Sequence, residues 1–260
     1  DQNTNLTTVD LQLNPLTEET KKYLDSLNIA DMRYTVSSPI LISSLSFQDD
    51  ALQACVDSTA SNSGWTLVIE FISLSCISMG ITDTTGIESL SSLSFLNLDN
   101  NELTSIDLSQ QPLLTTISLA NNMLSSIDLD QQSLLTGLWL NGNQINGIDL
   151  SQQTLLTELW LGDNQLSSID LSQQPLLTFL NLFSNLLSDI DLSQQTKLTN
   201  LRVDYNLLSN IDLSKQILLT ELNLVSNLLN SIDLSQHKLL TALYLDGNPL
   251  NNIDLSDQTA

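Results

Sequence analysis

The sequence has few basic residues. Only seven positions are Lys or Arg, against 30 Asp and Glu, and the formal net charge is −23. A surface this acidic repels the phosphates of nucleic acids and of anionic membranes, so we set both aside as partners. The same charge favours solubility.

Long apolar runs are also missing. No stretch of 18 or more apolar residues is present that could cross a bilayer as a helix. The first residue is Asp rather than Met, and no charged-then-apolar leader follows it, so we interpret the chain as processed or trimmed. Aromatic residues make up 5% and glycine contributes 8 residues, whereas 41% of the 260 residues are hydrophobic. The chain can therefore bury a substantial, mainly aliphatic core.

Histidine and cysteine are too scarce for a metal site. The chain has one His and two Cys, without a CxxC or Cys/His cluster, so no metal or cofactor is expected. Cys55 and Cys76 are interpreted as one disulfide, with two buried free thiols as the alternative. A disulfide suits a secreted or cell-surface protein, and the periplasm is a further option.

Residues typical of catalysis are equally sparse. No His stands near a nucleophile motif and no glycine-rich phosphate loop is present, so we expect a protein that is not an enzyme. A weak alternative is a carboxylate pair for glycoside hydrolysis, formed by Glu158 with Asp204 or Glu221.

Repetition is the strongest feature of the sequence. Each repeat reads LTxLxLxxNxLxxIDLSQQxL from Leu93 onward, and the period of 21 residues holds without an insertion. The tripeptide Ile-Asp-Leu begins at residues 106, 127, 148, 169, 190, 211, 232 and 253. A unit of this kind cannot bury its apolar side alone, so successive coils are expected to stack around one continuous core.

The repeat also predicts which side chains are buried. In LxL both leucines point inward and the residue between them points outward, because side chains alternate along a strand. The inward amide of the Asn column, Asn101 to Asn248, can satisfy backbone groups at the bend and can bond to its stacked neighbours. In the second half of each coil, a near-copy of the first, Gln takes that place. His237 stands in the Gln column that runs from Gln111 to Gln216 and includes Gln258, so we predict a structural role for it.

One more coil precedes these repeats. Phe71 to Ile81 fits the template at an offset of 22 residues and places Cys76 at a core position. The segment FQDDALQACVDSTAS before it has apolar residues at helical spacing and predicts a capping helix that carries Cys55. A Cys55–Cys76 bridge would fasten this cap to the stack, whose end would otherwise expose its core.

The LxxLxLxxN pattern followed by a second, shorter half resembles the 21-residue class of bacterial leucine-rich repeats sometimes called IRREKO, and TDTTGIESL resembles an internalin-type repeat ending. This sequence departs from the class by using Gln where the second half often has Asn. The resemblance implies a leucine-rich-repeat solenoid of the α/β type, with a parallel β-sheet on one face, little regular helix in the repeats and an N-terminal helical cap. It further implies function by binding a protein or another ligand.

The expected domain organisation has three parts. Residues 1–46 form an N-terminal segment with a short helix in NPLTEETKKYLDSL and a strand or linker in SSPILISSL, residues 47–70 form the cap, and residues 71–260 form the solenoid. The chain stops as the eighth 21-residue unit completes, without a polar cap. Either it is a piece of a longer protein, or its last coil associates end to end with another molecule.

Recognition should use outward side chains that vary between coils, because the constant positions form the scaffold. Trp139 and Trp160 are predicted to be neighbours about 4.8 Å apart on the strand face, with Phe179 and Phe183 on either side of Asn181 one coil on. Outward aromatic residues mark binding surfaces, although they can also simply stabilise adjacent strands. The predicted ligand-binding residues are Trp139, Glu158, Trp160, Phe179, Asn181, Phe183, Arg202, Asp204 and Tyr244.

Several alternatives stay open for partner and surface. A protein partner suits the large face of a solenoid, a glycan could stack on the tryptophans, and a plain spacer could rely on the Thr column from Thr115 to Thr241. The Asp column from Asp107 to Asp254 places like charges one coil apart. Hydrogen bonds to Ser or backbone N–H groups, screening by salt, or bound Ca²⁺ could offset their repulsion.

Overall fold

The computed structural model describes residues 8–10, 22, 31–33, 40–251 and 253. The short helix predicted in NPLTEETKKYLDSL lies outside the described residues apart from Lys22, as do Asp254 and Gln258. Two short strands precede the solenoid, β1 (Thr8–Asp10) and β2 (Asp31–Arg33), and they pair in parallel.

The described part of the solenoid is built on a nine-stranded parallel sheet with one three-residue strand in each coil. The strands are β3 (Ser73–Ser75), β4 (Phe95–Asn97), β5 (Thr116–Ser118), β6 (Gly137–Trp139), β7 (Glu158–Trp160), β8 (Phe179–Asn181), β9 (Asn200–Arg202), β10 (Glu221–Asn223) and β11 (Ala242–Tyr244). Their spatial order follows the chain, and equivalent residues of adjacent coils are in register. The predicted fold class is therefore confirmed.

Aliphatic columns fill the interior between the coils. The middle residue of each strand from β3 to β10 is fully enclosed, as are the following leucines such as Leu98 and Leu119. Complete burial of one such side chain stabilises the fold by about 1.5–3 kcal/mol. Strands of three residues would not be stable alone, so stacking holds each coil in place.

The Asn column supplies both the donor and the acceptor that the bend requires. The Asn122 Nδ2 group donates to the carbonyl oxygens of Leu98 (3.0 Å) and Leu119 (3.1 Å), while its Oδ1 accepts from the Leu103 N–H (3.0 Å). Later coils repeat the pattern. Instead of the expected bonds between stacked amides, the Asn122 side chain bonds to backbone groups of its own coil and of the preceding coil.

The second half of the coil keeps the inward Gln but forms no strand within the described residues. The Gln132 N–H closes a turn onto the Leu129 carbonyl (2.9 Å), and its Nε2 group donates to the Leu108 carbonyl of the preceding coil (2.7 Å). His237 is buried at the equivalent place, with Nε2 3.1 Å from the Leu213 carbonyl oxygen. The structural role predicted for His237 is confirmed.

The α-helix α1 (Asp50–Ser63) covers the N-terminal end of the stack. Asp49 caps it by accepting from the N–H groups of Ala51 and Leu52, and Gly64 ends it in the left-handed conformation. The predicted disulfide between Cys55 and Cys76 joins the helix to the first coil. At the opposite end, Leu243 and Leu245 are only half-buried, whereas their equivalents in the preceding coil are fully buried.

Candidate recognition surface on the strand face

Trp139 and Trp160 lie on the strand face and not in the core. They are register partners on β6 and β7, and both side chains are half-buried. The enclosed residues of these strands are Leu138 and Leu159, which point into the stack. The alternation expected for LxL therefore holds where the two tryptophans are placed.

Aromatic rings meet across adjacent coils. The rings of Trp160 and Phe179 stack with their centroids 4.4 Å apart and their planes 13° from parallel. The Trp160 indole N–H is enclosed and has no acceptor among the described residues.

Two glycines make room for the rings. A Cβ atom on Gly137 would stand 2.5 Å from the benzo ring of Trp139, and a Cβ on Gly162 would stand 2.0 Å from Cδ1 of Phe183. Both glycines are buried because the aromatic side chains cover them. The positions of these rings therefore depend on small residues that sequence analysis did not single out.

A charged group borders the aromatic rings. The Arg202 guanidinium lies over the Phe183 ring, 5.5 Å from its centroid, and its Nη2 atom is 3.2 Å from Oδ2 of Asp204. The Asp204 side chain is buried, whereas about a third of the Arg202 side chain is exposed. We call Trp139, Trp160, Phe179, Phe183 and Arg202 the aromatic cluster.

Two of the residues predicted to contact a ligand are not exposed. Asn181 is only 1% exposed, and its Oδ1 accepts from the Phe183 N–H (3.1 Å). Asp204 is 2% exposed and bonds to Arg202. Their columns do face away from the core, but both side chains are enclosed and hydrogen-bonded to other residues of the strand face. Both residues hold members of the aromatic cluster in place.

The remaining predicted residues are accessible. Glu158 is exposed on β7 directly opposite Gly137 of β6. Tyr244 is 46% exposed, but it lies on the last strand with Asn223 between it and Arg202 in the register. The structure therefore places Glu158 beside the aromatic cluster and Tyr244 apart from it.

The Asp column is held by local hydrogen bonds. The Asp107 carboxylate accepts from the N–H of Ser109 (2.9 Å), and Asp149 and Asp191 accept in the same way from the serine two residues on. Hydrogen bonds from that backbone N–H, and then from the serine hydroxyl, lower the pKa of these aspartates below the usual value. Among the described residues, no three His, Cys, Asp or Glu side chains are grouped to hold a metal ion.

The Thr column also serves the scaffold. The Thr136 hydroxyl donates to the Thr115 carbonyl oxygen (3.2 Å), and Thr157 and Thr178 each donate in turn to the threonine of the coil before. These hydroxyls supply a third hydrogen bond to carbonyls that already accept from two backbone N–H groups of the next coil. The column is therefore part of the sheet border.

One exposed feature was missed by sequence analysis. The residue before the inward leucine of LLT is itself a leucine in most coils and faces solvent; we call this column the flank stripe. Its members are Leu113, Leu134, Leu155, Leu176, Leu218 and Leu239, with Lys197 in the remaining coil. Five of these leucines are between 41% and 51% exposed. Leu recurs at a position that the repeat places on the outside of the coil, and this recurrence could have revealed the stripe.

Comparisons with solved structures place the chain among repeat proteins. It is similar to the functional domain of InlJ from Listeria monocytogenes, with 25% identity, a TM-score of 0.51 and coverage of 82% of this chain and 63% of that one. It is also similar in fold to YopM, a leucine-rich effector protein from Yersinia pestis, with 23% identity, a TM-score of 0.61 and coverage of 76% and 52%. A TDR receptor matches with 24% identity, a TM-score of 0.63 and coverage of 75% and 37%.

The chain thus spans less than two thirds of the length of each of these proteins. No protein-family model and no curated protein sequence matches it. None of the helices in the described residues has the length and apolar character needed to cross a membrane. The repeat, the in-register parallel sheet and the structural neighbours together establish that the chain has the leucine-rich-repeat fold.

Proposed function

We propose that the protein is a non-enzymatic recognition module that binds a protein partner through the strand face. The observation that carries this proposal is the aromatic cluster, because the stacked leucines complete the core without it. Trp, Tyr and Arg are the residue types that most often dominate binding energy at protein interfaces. A partner would contact Trp139, Trp160 and Arg202 at the centre, with Glu158 at the rim.

The structural neighbours support the same class of function. One is named an effector protein and another a receptor, and a solenoid presents a long, rigid surface to a partner. Fold likeness by itself does not determine function, and the aromatic cluster is the more specific support for a binding role. The Cys55–Cys76 disulfide supports a secreted or cell-surface location.

The contacts of the carboxylates disfavour glycoside hydrolysis. Asp204 is enclosed and paired with Arg202, and Glu221 accepts from the Asn200 side chain (3.0 Å). A hydrolase of this type needs one carboxylate and one carboxylic acid that both reach the substrate. Only Glu158, of the three residues considered, is freely exposed.

The test compares capture by the wild-type protein and by a Trp139→Ser/Trp160→Ser variant. We expect the wild type to capture a specific protein from a cell-surface extract, identified after crosslinking, and the variant to lose that capture. Because the core leucines are untouched, the variant should still fold, although it loses the stacking of Trp160 on Phe179, about 0.5–1.5 kcal/mol, and the partial burial of both indole rings.

A Leu207→Ser/Leu228→Ser variant is the matched control, since both leucines are about half exposed and lie outside the strand face. It should capture the partner as the wild type does. Equal capture by the tryptophan variant, or binding of the wild type to a glycan array but to no protein, would overturn the proposal.

A further inference from the structure

The flank stripe is a second surface that the scaffold does not require. The next residue in each coil, such as Leu114 or Leu135, is completely buried and completes the core column. The stripe residue itself stands at the turn before the strand, where any polar residue would be accommodated. Lys197 shows this directly, because it occupies the same position in its coil and is exposed.

Four leucines of the stripe are consecutive. Leu113, Leu134, Leu155 and Leu176 occupy four adjacent coils, spaced by about 4.8 Å, and therefore extend over about 14 Å. The first three are exposed, and Leu176 is half-buried. Three turns of an α-helix rise about 16 Å. The run thus matches the apolar face of a three-turn helix laid along it, with one anchor side chain from each turn. Isolated exposed leucines are common, but a continuous apolar run on an acidic protein marks an interaction surface.

The charge around this run has one sign. Between Tyr34 and Thr196 the sequence contains no Lys, Arg or His. Two successive turns join the Asp column to the stripe in each coil: the Gln132 N–H donates to Leu129 O and the Leu135 N–H donates to Gln132 O. In these coils the Asp column consists of Asp107, Asp128, Asp149 and Asp170, and Asp130 lies two residues after Asp128.

These carboxylates are exposed. Hydrogen bonds from Ser109, Ser151 and Ser172 lower the pKa of the aspartates that they contact. A cationic partner would therefore find an apolar run bordered by fixed negative charge. A second copy of this chain would bring like charges together instead.

We propose that the run Leu113–Leu176 of the flank stripe docks an amphipathic helix of a partner protein whose polar face is rich in Lys and Arg. The apolar face of the helix covers the four leucines, and its cationic side chains lie against the Asp column. This surface is separate from the aromatic cluster, so the two sites can be tested independently.

The probe is a fluorescein-labelled helical peptide of about 14 residues, composed of Leu, Ala and Lys with its leucines on one face. A peptide of the same composition with its leucines distributed around the helix is the negative probe. Binding is followed by fluorescence anisotropy. A Leu134→Ser/Leu155→Ser variant should weaken binding about tenfold or more, because two half-covered leucines no longer contact the helix.

Two controls separate this surface from the others. The Leu207→Ser/Leu228→Ser and Trp139→Ser/Trp160→Ser variants should bind the peptide as the wild type does. The Asp128→Asn/Asp149→Asn variant keeps an acceptor oxygen for the local backbone bonds, and it should reduce the dependence of affinity on salt.

Three outcomes would overturn the proposal. The scrambled peptide could bind equally well, which would indicate charge attraction alone. The Leu134→Ser/Leu155→Ser variant, shown to be folded by its melting curve, could retain full affinity. Sedimentation could also show that the wild type dimerises and that this variant does not, which would assign the stripe to self-association.

Discussion

At the scale of single residues, two glycines on the strand face leave the space that aromatic rings occupy. Phe183 lies where a side chain of residue 162 would be, and Trp139 lies over residue 137. Glycine at both positions lets large rings settle against the sheet. The same packing covers Asn181 and makes it a support for the backbone of Phe183.

Replacement of Gly162 by Ala tests this packing. The new Cβ would overlap Phe183, so the ring must move and the free energy of unfolding should fall by about 1–3 kcal/mol. Urea unfolding measures the change. Gly147→Ala is the control, because a Cβ there has no atom within 4 Å, and it should be neutral or slightly stabilising. An equal loss in both variants would show that the Phe183 contact is not responsible.

At the scale of elements, the cap depends on Asp49 as well as on the disulfide. Its Oδ1 accepts from the first turn of α1, and its Oδ2 accepts from the Thr82 N–H of the first coil (2.9 Å). Partial burial is the largest single influence and raises the pKa of Asp49, but the hydrogen bonds from Thr82, Leu52 and Ala51 together outweigh it and the pKa is lowered.

This lowered pKa predicts a pH dependence. Because the folded state favours the ionised carboxylate, the stabilisation by Asp49 is fully present above the unfolded pKa of about 3.9 and is lost as pH falls through the folded value. Wild type should therefore exceed Asp49→Ala in stability by a constant amount at pH 5 to 7, about 0.5–2 kcal/mol. The difference should shrink below about pH 4. A difference that is independent of pH down to acid conditions would contradict this role.

At the scale of the whole molecule, negative charge opposes folding and stacking supports it. The whole chain has a net charge of −23, and aspartates of the Asp column repeat in adjacent coils of the solenoid. Local hydrogen bonds stabilise each carboxylate but leave the repulsion between coils in place. Added salt screens that repulsion, since the Debye length falls from about 30 Å at 0.01 M to about 3 Å at 1 M.

Salt should consequently raise the melting temperature. We expect an increase between low and high NaCl, and the same increase in CaCl₂ at matched ionic strength, because hydrogen bonds already satisfy the Asp column. Thermal unfolding followed by circular dichroism measures both. A clearly larger rise with Ca²⁺ would indicate that paired carboxylates bind the ion.

The repeat in the sequence is sufficient to predict most of the fold. The 21-residue period, the inward leucines and the Asn and Gln columns follow from local alternation and from the need to satisfy backbone groups at bends, so they are visible in the chain itself. The helical cap and its disulfide could be inferred from helical spacing and from two cysteines at the start of the stack. The class of partner and the extent of end-to-end association stay predictions.

Only the tertiary structure decided which outward side chains are accessible. Asn181 and Asp204 occupy outward columns, yet both are buried, and Gly137 and Gly162 matter because of rings that lie over them. Residues 21 apart in sequence become direct neighbours when the coils stack. Burial on this face therefore depends on contacts between coils, whereas burial in the core follows from the pattern within each coil.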